Sequence, residues 1–222
     1  MAAAVLDLPT IDCGPNKERD MKRRLPIFAV AVLFAAASAA VAETETYKFD
    51  KAHTLVGFRI RHLLTKVEGR FKDFDGTIWL DRANPSASKV ELTIQTASID
   101  TGVDARDKDL RSPNYFDGDK YPTITFKSTK IELKGNDQYD VTGEFSMHGV
   151  TKTIRVPVKA LGFAKMGKTD KAGFETSLTI IRKDYGIEKG APVVGDDVEL
   201  NIQVEANKET PAEAKPAAPA KN

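Results

Sequence analysis

Cysteine is nearly absent from this chain of 222 residues, since Cys13 is the single one, and histidine occurs three times. One cysteine excludes an internal disulfide and a zinc site built from several thiolates, so packing must hold the fold together. The sequence also has no P-loop, no GxGxxG motif and no G-x-S-x-G elbow. These absences argue against a nucleotide-binding domain and an α/β-hydrolase, and by elimination they favour a binding protein.

The histidines do not have the spacing of a metal site. His53 and His62 are separated by an odd number of positions (62 − 53 = 9), so on one continuous strand they point to opposite faces. His148 follows a strand pattern at a glycine turn, and no H-x-H or HExxH motif is present. The sequence therefore predicts no metal ligands and no cofactor site.

A membrane-spanning apolar run is missing from the N-terminus. The run from Leu25 to Ala37 is shorter than the roughly 20 residues that a spanning helix needs. It follows Met21 and three basic residues, and it leads to an A-x-A site that ends at Ala42. We therefore predict a secretory signal peptide over residues 21–42, cleaved after Ala42. Residues 1–20 are then interpreted as an extension from a start codon placed too far upstream.

Neither sign of charge is in excess once the predicted signal peptide is removed. Residues 1–42 contain five basic and four acidic residues, so 33 − 5 and 32 − 4 leave 28 of each sign. This balance argues against a nucleic-acid binder that works by electrostatic attraction. The stretch 207–222 consists of small, charged and proline residues without a large apolar side chain, which predicts a disordered tail. A single domain over residues 43–206 remains.

Within that domain, apolar and polar residues alternate with the period of a β-strand. In "HTLVGFRIRH", Val56, Phe58 and Ile60 share one face, while the intervening residues share the other. About eight such segments are separated by turn residues, which favours an antiparallel barrel or sandwich. A closed barrel of eight strands has an interior that side chains fill or that holds one small ligand, and periodicity does not choose between these two.

One segment, "DARDKDLRSPNYFD" from Asp104 to Asp117, breaks this alternation. Its spacing predicts one to two turns of helix, with Leu110 as the apolar anchor and Pro113 as the stop signal. We interpret it as a lid or plug across one mouth of the barrel.

Several motifs resemble those of a known family. They are "YKFDKAHTLVGFRIRHLLTKVEGRFKDFDGTIWLD", "ASIDTGVDARDKDLRSPNYFDGDKYPTITFKSTKIE", "YDVTGEFSMHGVTKTIRVPVKALGF" and "IRKDYGI". In this order they resemble the YceI-like polyisoprenoid-binding family over Tyr47 to Ala206. The resemblance implies a periplasmic, lipocalin-like barrel of eight antiparallel strands that binds an isoprenoid or related amphiphilic lipid without catalysis. Thr54 replaces the family's usual Ser. Asp109 replaces its common His, and this second departure puts recognition of the head group in doubt.

Under this resemblance we expect ligand contacts from two groups of residues. The predicted apolar wall of the lumen comprises Val56, Phe58, Ile60, Ile94, Phe126, Phe145 and Val156. Arg106 and Arg111 are expected to meet a diphosphate or quinone head, although exposed charges on a short helix are often simply solvated. Tyr115 and Phe116 are expected to seal the pocket or to anchor the helix. Trp79 should face outward, which suggests a homodimer contact.

The leading hypothesis is a periplasmic carrier or reservoir for a long isoprenoid, either a quinone or a polyprenyl lipid. A fatty-acid or fatty-amide binder that uses the same lumen is the first alternative. A hydrolase of small lipids is a second, for which the shared strand face of Ser146 and His148 is a weak signal. A packed barrel that serves as a ligand-free interaction module is the third.

Overall fold

The computed structural model describes residues 44–210, in which strands alternate with short turns and one α-helix occurs. The strands are β1 (Glu45–Phe49), β2 (Leu55–His62), β3 (Thr65–Phe71), β4 (Phe74–Leu80), β5 (Lys89–Gln95), β6 (Ile99–Asp100), β7 (Thr123–Gly135), β8 (Gln138–Met147), β9 (Val150–Met166), β10 (Thr169–Ile181) and β11 (Val194–Lys208). The helix α1 spans Asp104–Arg111, and 3₁₀ turns lie at Pro85–Ala87, Thr96–Ser98 and Arg182–Tyr185. No helix in this part of the chain is long and apolar enough to cross a membrane.

Eight of the strands form a closed antiparallel ring, as the sequence predicts. The order around the ring is β1, β4, β5, β7, β8, β9, β10 and β11, and β1 pairs with β11 to close it. Strand β11 is long enough to have two neighbours on the same side. Its end pairs with β1, where Asn207 lies opposite Lys48, and its earlier part pairs with β2, where Asn201 lies opposite Gly57. Strands β3 and β6 continue the sheet from β2.

The predicted period of two holds along these strands. Phe126 of β7 lies opposite Leu92 of β5 and Phe145 of β8, and all three side chains are buried in the same core cluster. The charged neighbours on the other face, Glu91, Lys127 and Glu144, are exposed. Because successive side chains of a strand point to opposite faces, this register gives the wall strands one apolar face toward the core and one face toward solvent.

The barrel has two different ends. At one end, here called the helix end, lie α1, the turn between β2 and β3, and the loop that leads into β11. At the other, here called the closed end, a second core cluster of Tyr47, Ile78, Ala172 and Ala206 packs where β1 meets β4 and β11. Tyr47 and Ala206 have no exposed surface, so this cluster is buried.

The helix is as predicted, because it has two turns and ends at Arg111, just before the stop signal at Pro113, and the rest of the segment up to Asp117 forms turns. One predicted boundary shifts. The predicted tail begins too early, because β11 continues through Asn207 and Lys208, which pair with β1. The predicted extension (1–20), the signal peptide (21–42) and the remainder of the tail (211–222) lie outside the described residues.

Candidate functional site

A cavity of about 400 Å³ lies inside the barrel. Its wall is built from the inward faces of the strands, so nearly all of the side chains that line it are aliphatic or aromatic. Besides the predicted residues, these include Leu92, Ile124, Met147, Leu178, Leu200 and Ile202. Such a wall offers almost no hydrogen-bonding partner to a ligand, and it therefore suits a hydrocarbon. Because this space remains between the side chains, the barrel is not packed solid.

The structure brings ten of the eleven predicted contact residues to this cavity. They are Val56, Phe58, Ile60, Ile94, Phe126, Phe145, Val156, Arg106, Tyr115 and Phe116. The exception is Arg111, which is not part of the wall. Its guanidinium donates to the carbonyl oxygens of Ala97 and Ile99, both at 3.4 Å, and so holds α1 against the preceding turn.

A buried aspartate fixes α1 at the rim of the cavity. Asp107 accepts hydrogen bonds from the backbone N–H of Thr101 at 2.9 Å and from its hydroxyl at 2.5 Å. The guanidinium of Arg106 donates to the hydroxyl of Thr101 at 2.7 Å and to its carbonyl at 2.9 Å. Arg106 is therefore held in the wall by the loop before the helix, which leaves part of its guanidinium for a ligand.

The aromatic residues after α1 both seal the cavity and anchor the helix, so the two predicted roles coincide. The ring of Phe116 meets the ring of Phe71 edge to face, with 6.0 Å between the centroids. Phe71 in turn packs against Phe58 at 5.8 Å. A Cβ atom at Gly69 would lie 2.3 Å from the Phe58 ring. Glycine at this position therefore leaves room for the Phe58 ring against β3.

Polar side chains line the cavity at the helix end and also elsewhere in its wall, where Ser88, Glu175 and Thr176 contribute to it. At the helix end they are His62, Thr101, Arg106 and Asp109, beside Tyr115. The sequence analysis did not include His62 and Thr101 among the contact residues, although His62 continues the alternation of Val56, Phe58 and Ile60, and it named Asp109 only as a departure from the family's pattern. The cavity thus has a largely apolar wall and a group of polar side chains at its rim at the helix end, which suits an amphiphile whose head group stays at that rim.

Arg182 is the buried residue that sequence reasoning missed completely. Only 4 % of it is exposed, and its guanidinium donates to four backbone carbonyls at 2.6 to 3.4 Å. These carbonyls belong to Ile187, Lys189, Val194 and Gly195. Asp196 lies 3.4 Å from the same group. Because its donors are used in this way, Arg182 fixes the loop between β10 and β11, and it also forms part of the cavity wall.

One group of residues within 44–210 has the side chains of a cation site. Ligand atoms of Asp50, His53 and Glu205 lie within 4.8 Å of one another. However, the ammonium group of Lys171 already contacts both carboxylates, at 3.4 Å and 2.5 Å. The hydrogen bond from His53 is the largest influence on Asp50 and lowers its pKa to about 2. This arrangement is an ion-pair network, with Lys171 as its cation.

The position of His53 corrects the argument that an odd spacing places His53 and His62 on opposite faces of one strand. It lies in the turn that precedes β2, since β2 begins at Leu55, and therefore its spacing from His62 says nothing about faces. The absence of a metal remains a prediction, and it now rests on Lys171 rather than on spacing.

The shared strand face of Ser146 and His148 does not produce a catalytic pair. The Ser146 hydroxyl bonds to the Thr151 hydroxyl at 2.6 Å. His148 lies in the following turn with φ at 53°, and its Nδ1 contacts the carbonyl of Tyr185 at 2.8 Å. No hydrogen bond joins the two side chains within residues 44–210, so the contact that a serine nucleophile and its base require is not formed.

Trp79 lies outside the cavity, as predicted. Its neighbours Ile78 and Leu80 line the cavity, whereas Trp79 points to the other face of β4 and is half-buried there. A dimer through this face remains a prediction.

Comparisons with known proteins converge on one family. The model of the YceI-like domain matches residues 47–206. The UPF0312 protein of Pectobacterium atrosepticum is 43% identical over 188 residues, which cover 83% of this chain and 96% of that protein. The crystal structure of a YceI protein from Campylobacter jejuni is similar with a TM-score of 0.61 and 39% identity, over 72% of this chain and 96% of that one.

A more distant structure shares the fold. It is described as a polyisoprenoid-binding domain from Saccharophagus degradans implicated in plant cell wall breakdown. The TM-score is 0.59 at 17% identity, over 75% of this chain and 99% of that one.

Proposed function

Because this chain belongs to the YceI-like domain family, we propose that it is a non-enzymatic protein that holds a long isoprenoid inside its barrel. The observation that carries the proposal is the cavity of about 400 Å³ with its largely apolar wall and the polar side chains at the helix end. The name of the distant relative as a polyisoprenoid-binding domain supports the same ligand class. A quinone or a polyprenyl lipid has the required shape, and the protein serves as its carrier or reservoir.

Transfer of the hydrocarbon tail from water drives binding in this proposal. Each buried CH₂ group contributes roughly 0.8 kcal/mol. Ordering a flexible tail and losing the ligand's translational freedom offset most of this sum, so the affinity is much weaker than the sum suggests. The head group remains near Arg106 and Asp109 at the rim.

A fatty acid or fatty amide is the second candidate ligand, because its chain fits the same wall. At the rim, Arg106 would attract the carboxylate of a fatty acid, and Asp109 would repel it. A neutral head group, such as a quinone ring or an amide, avoids this repulsion.

We expect protein purified from its own host to carry a co-purifying lipid, because an apolar cavity of this size favours a hydrocarbon over water. Native mass spectrometry measures the mass of the complex, and extraction of the lipid identifies it. An isoprenoid supports the proposal, and a fatty acid or fatty amide supports the second candidate. A protein that emerges empty and also fails to take up both ligand classes contradicts the proposal. Ester turnover that Ser146→Ala abolishes would indicate a hydrolase instead.

We also propose that the protein works in the periplasm after removal of a signal peptide. The basic stretch, the apolar run and the A-x-A site that ends at Ala42 support this. The expected N-terminus of the mature protein is therefore Glu43, two positions before β1 begins at Glu45. N-terminal sequencing of protein from the periplasmic fraction measures it. A purified protein that begins at Met1 or Met21 contradicts this location.

A further inference from the structure

The turn between β2 and β3 carries two leucines that face solvent. Leu63 is 56% exposed and Leu64 is 99% exposed. The backbone N–H of Leu63 donates to the carbonyl of Val193 at 2.9 Å, and Val193 is also exposed. These three residues are called the leucine tip below. It borders the cavity directly, because His62 lies beside Leu63, and Val194 beside Val193, and both line the cavity at the helix end.

The requirements of the turn do not explain these leucines. Two-residue hairpin turns favour asparagine, aspartate and glycine, because their backbone visits positive φ. The other three such turns among residues 44–210 contain one of these residue types, at Asn136–Asp137, His148–Gly149 and Gly167–Lys168. Leu63 instead adopts φ of 50° as a leucine, a conformation that is uncommon for this residue type. Leu63 and Leu64 do not suit the turn and lie at the edge of a cavity, which indicates that their side chains have a role other than forming the turn.

The hairpin around the tip is basic and is held in place. Strands β2 and β3 with their turn contain four basic residues and one acidic residue, a net charge of 4 − 1 = +3 with neutral histidine. The basic residues are Arg59, Arg61, Lys66 and Arg70, and all four are exposed. Glu199 and Asp100 of neighbouring strands pair with three of them.

Arg61 differs from the other three, because it forms no ion pair within the described part of the chain. Its guanidinium donates to the carbonyls of Leu63 at 3.2 Å and Pro192 at 3.4 Å. It thereby joins the tip to the loop before β11 and keeps a positive charge beside the leucines.

We propose that the leucine tip docks on the surface of a lipid bilayer that contains anionic lipid. The leucines enter the boundary between head groups and acyl chains, and Arg61 meets the anionic head groups. The rim of the cavity then faces the bilayer, so a hydrocarbon ligand exchanges without crossing water. Docking itself rests on the tip, whereas the exchange of a ligand rests on the function proposed above.

The test replaces the tip with residues that suit the turn. The double variant Leu63→Asn with Leu64→Gly removes both leucines and supplies a preferred turn sequence, so the hairpin should fold. The matched control is Leu133→Asn with Met166→Asn, which removes apolar side chains that are 54% and 70% exposed at the closed end. Flotation with vesicles of phosphatidylcholine, alone or mixed with phosphatidylglycerol, measures docking. Circular dichroism confirms that each variant is folded.

We expect the wild type and the control to bind the mixed vesicles, and the tip variant to bind about tenfold more weakly or worse. Binding should also weaken with added salt and with phosphatidylcholine alone. Equal vesicle binding by the tip variant and the wild type overturns the proposal, as does a wild type that binds neither vesicle. If the tip variant instead abolishes self-association of a wild type that ignores vesicles, the tip is a contact between two copies of the chain.

Uptake of a detergent-dispersed isoprenoid separates docking from ligand binding. The tip variant should load as the wild type does in this assay, because its cavity is intact, while transfer from vesicles slows. A wild type that binds vesicles and takes up no lipid from detergent contradicts the proposed function and leaves docking in place.

Discussion

Replacing Arg182 with alanine should lower the free energy of unfolding by about 3 to 5 kcal/mol, which corresponds to roughly 6 to 20 °C in the melting temperature. The physical reason is that the variant leaves several buried carbonyl oxygens without their donor. Urea and thermal unfolding, followed by circular dichroism, measure the change. Arg182→Lys should recover little of it, because an ammonium group cannot reach carbonyls in the directions that the planar guanidinium serves.

The matched control for this prediction is Arg155→Ala. Arg155 lies in the wall strand β9, and its side chain is exposed although it pairs with Asp140. Its removal should cost about 1 kcal/mol, because Asp140 keeps Lys134 as a partner at 3.4 Å. If Arg182→Ala and Arg155→Ala destabilise the protein equally, the carbonyl contacts of Arg182 do not hold the loop before β11.

Shortening Phe126 to alanine should both destabilise the barrel and alter how it retains a ligand. Phe126 is 8% exposed and stands in the wall between Leu92 and Phe145. Loss of a buried phenylalanine side chain costs about 3 to 5 kcal/mol. We expect the lower end of that range, since one side of this ring already faces the cavity and has fewer atoms in contact. The larger cavity should release a bound lipid faster, which an exchange assay with labelled lipid measures.

Lys127→Ala provides the control, because it changes the next residue on the opposite face. Its exposed side chain should affect stability by no more than about 0.5 kcal/mol and leave lipid exchange unchanged. Both variants must be shown to be folded before lipid is counted, since unfolding also releases the ligand. A folded Phe126→Ala protein with wild-type exchange shows that Phe126 does not contact the lipid.

Much of the wall could be predicted from sequence, because one physical rule governs it. A strand with one face in the core repeats with period two, so Val56, Phe58 and Ile60 could be placed inward without knowledge of the partner strands. The helix could also be located, since Leu110 and Pro113 mark its anchor and its stop. Each of these signals comes from residues that are close together in the chain, so it can be read from the sequence alone.

The features that sequence reasoning missed depend on contacts between distant segments. Arg182 appears in the sequence as an ordinary charge at the end of a strand, and its role arises only when the loop before β11 wraps around it. Asn207 and Lys208 resemble a polar tail because backbone pairing with β1 requires no apolar side chain. His53 was assigned to a strand that begins two positions later, so the parity argument did not apply to it.

The closing pair of the ring joins the first strand of the domain to its last. Strand β1 ends at Phe49, and its partners in β11 are Ala206 to Lys208, so nearly the whole domain must be made before this contact can form. Contacts between such distant segments carry the greatest loop-closure cost and form late in folding. A nascent chain that emerges N-terminus first therefore has no sealed chamber until its final strand arrives. The ligand must therefore bind after folding is complete. A truncation that removes the residues of β11 that pair with β1 would leave an open sheet instead of a closed barrel.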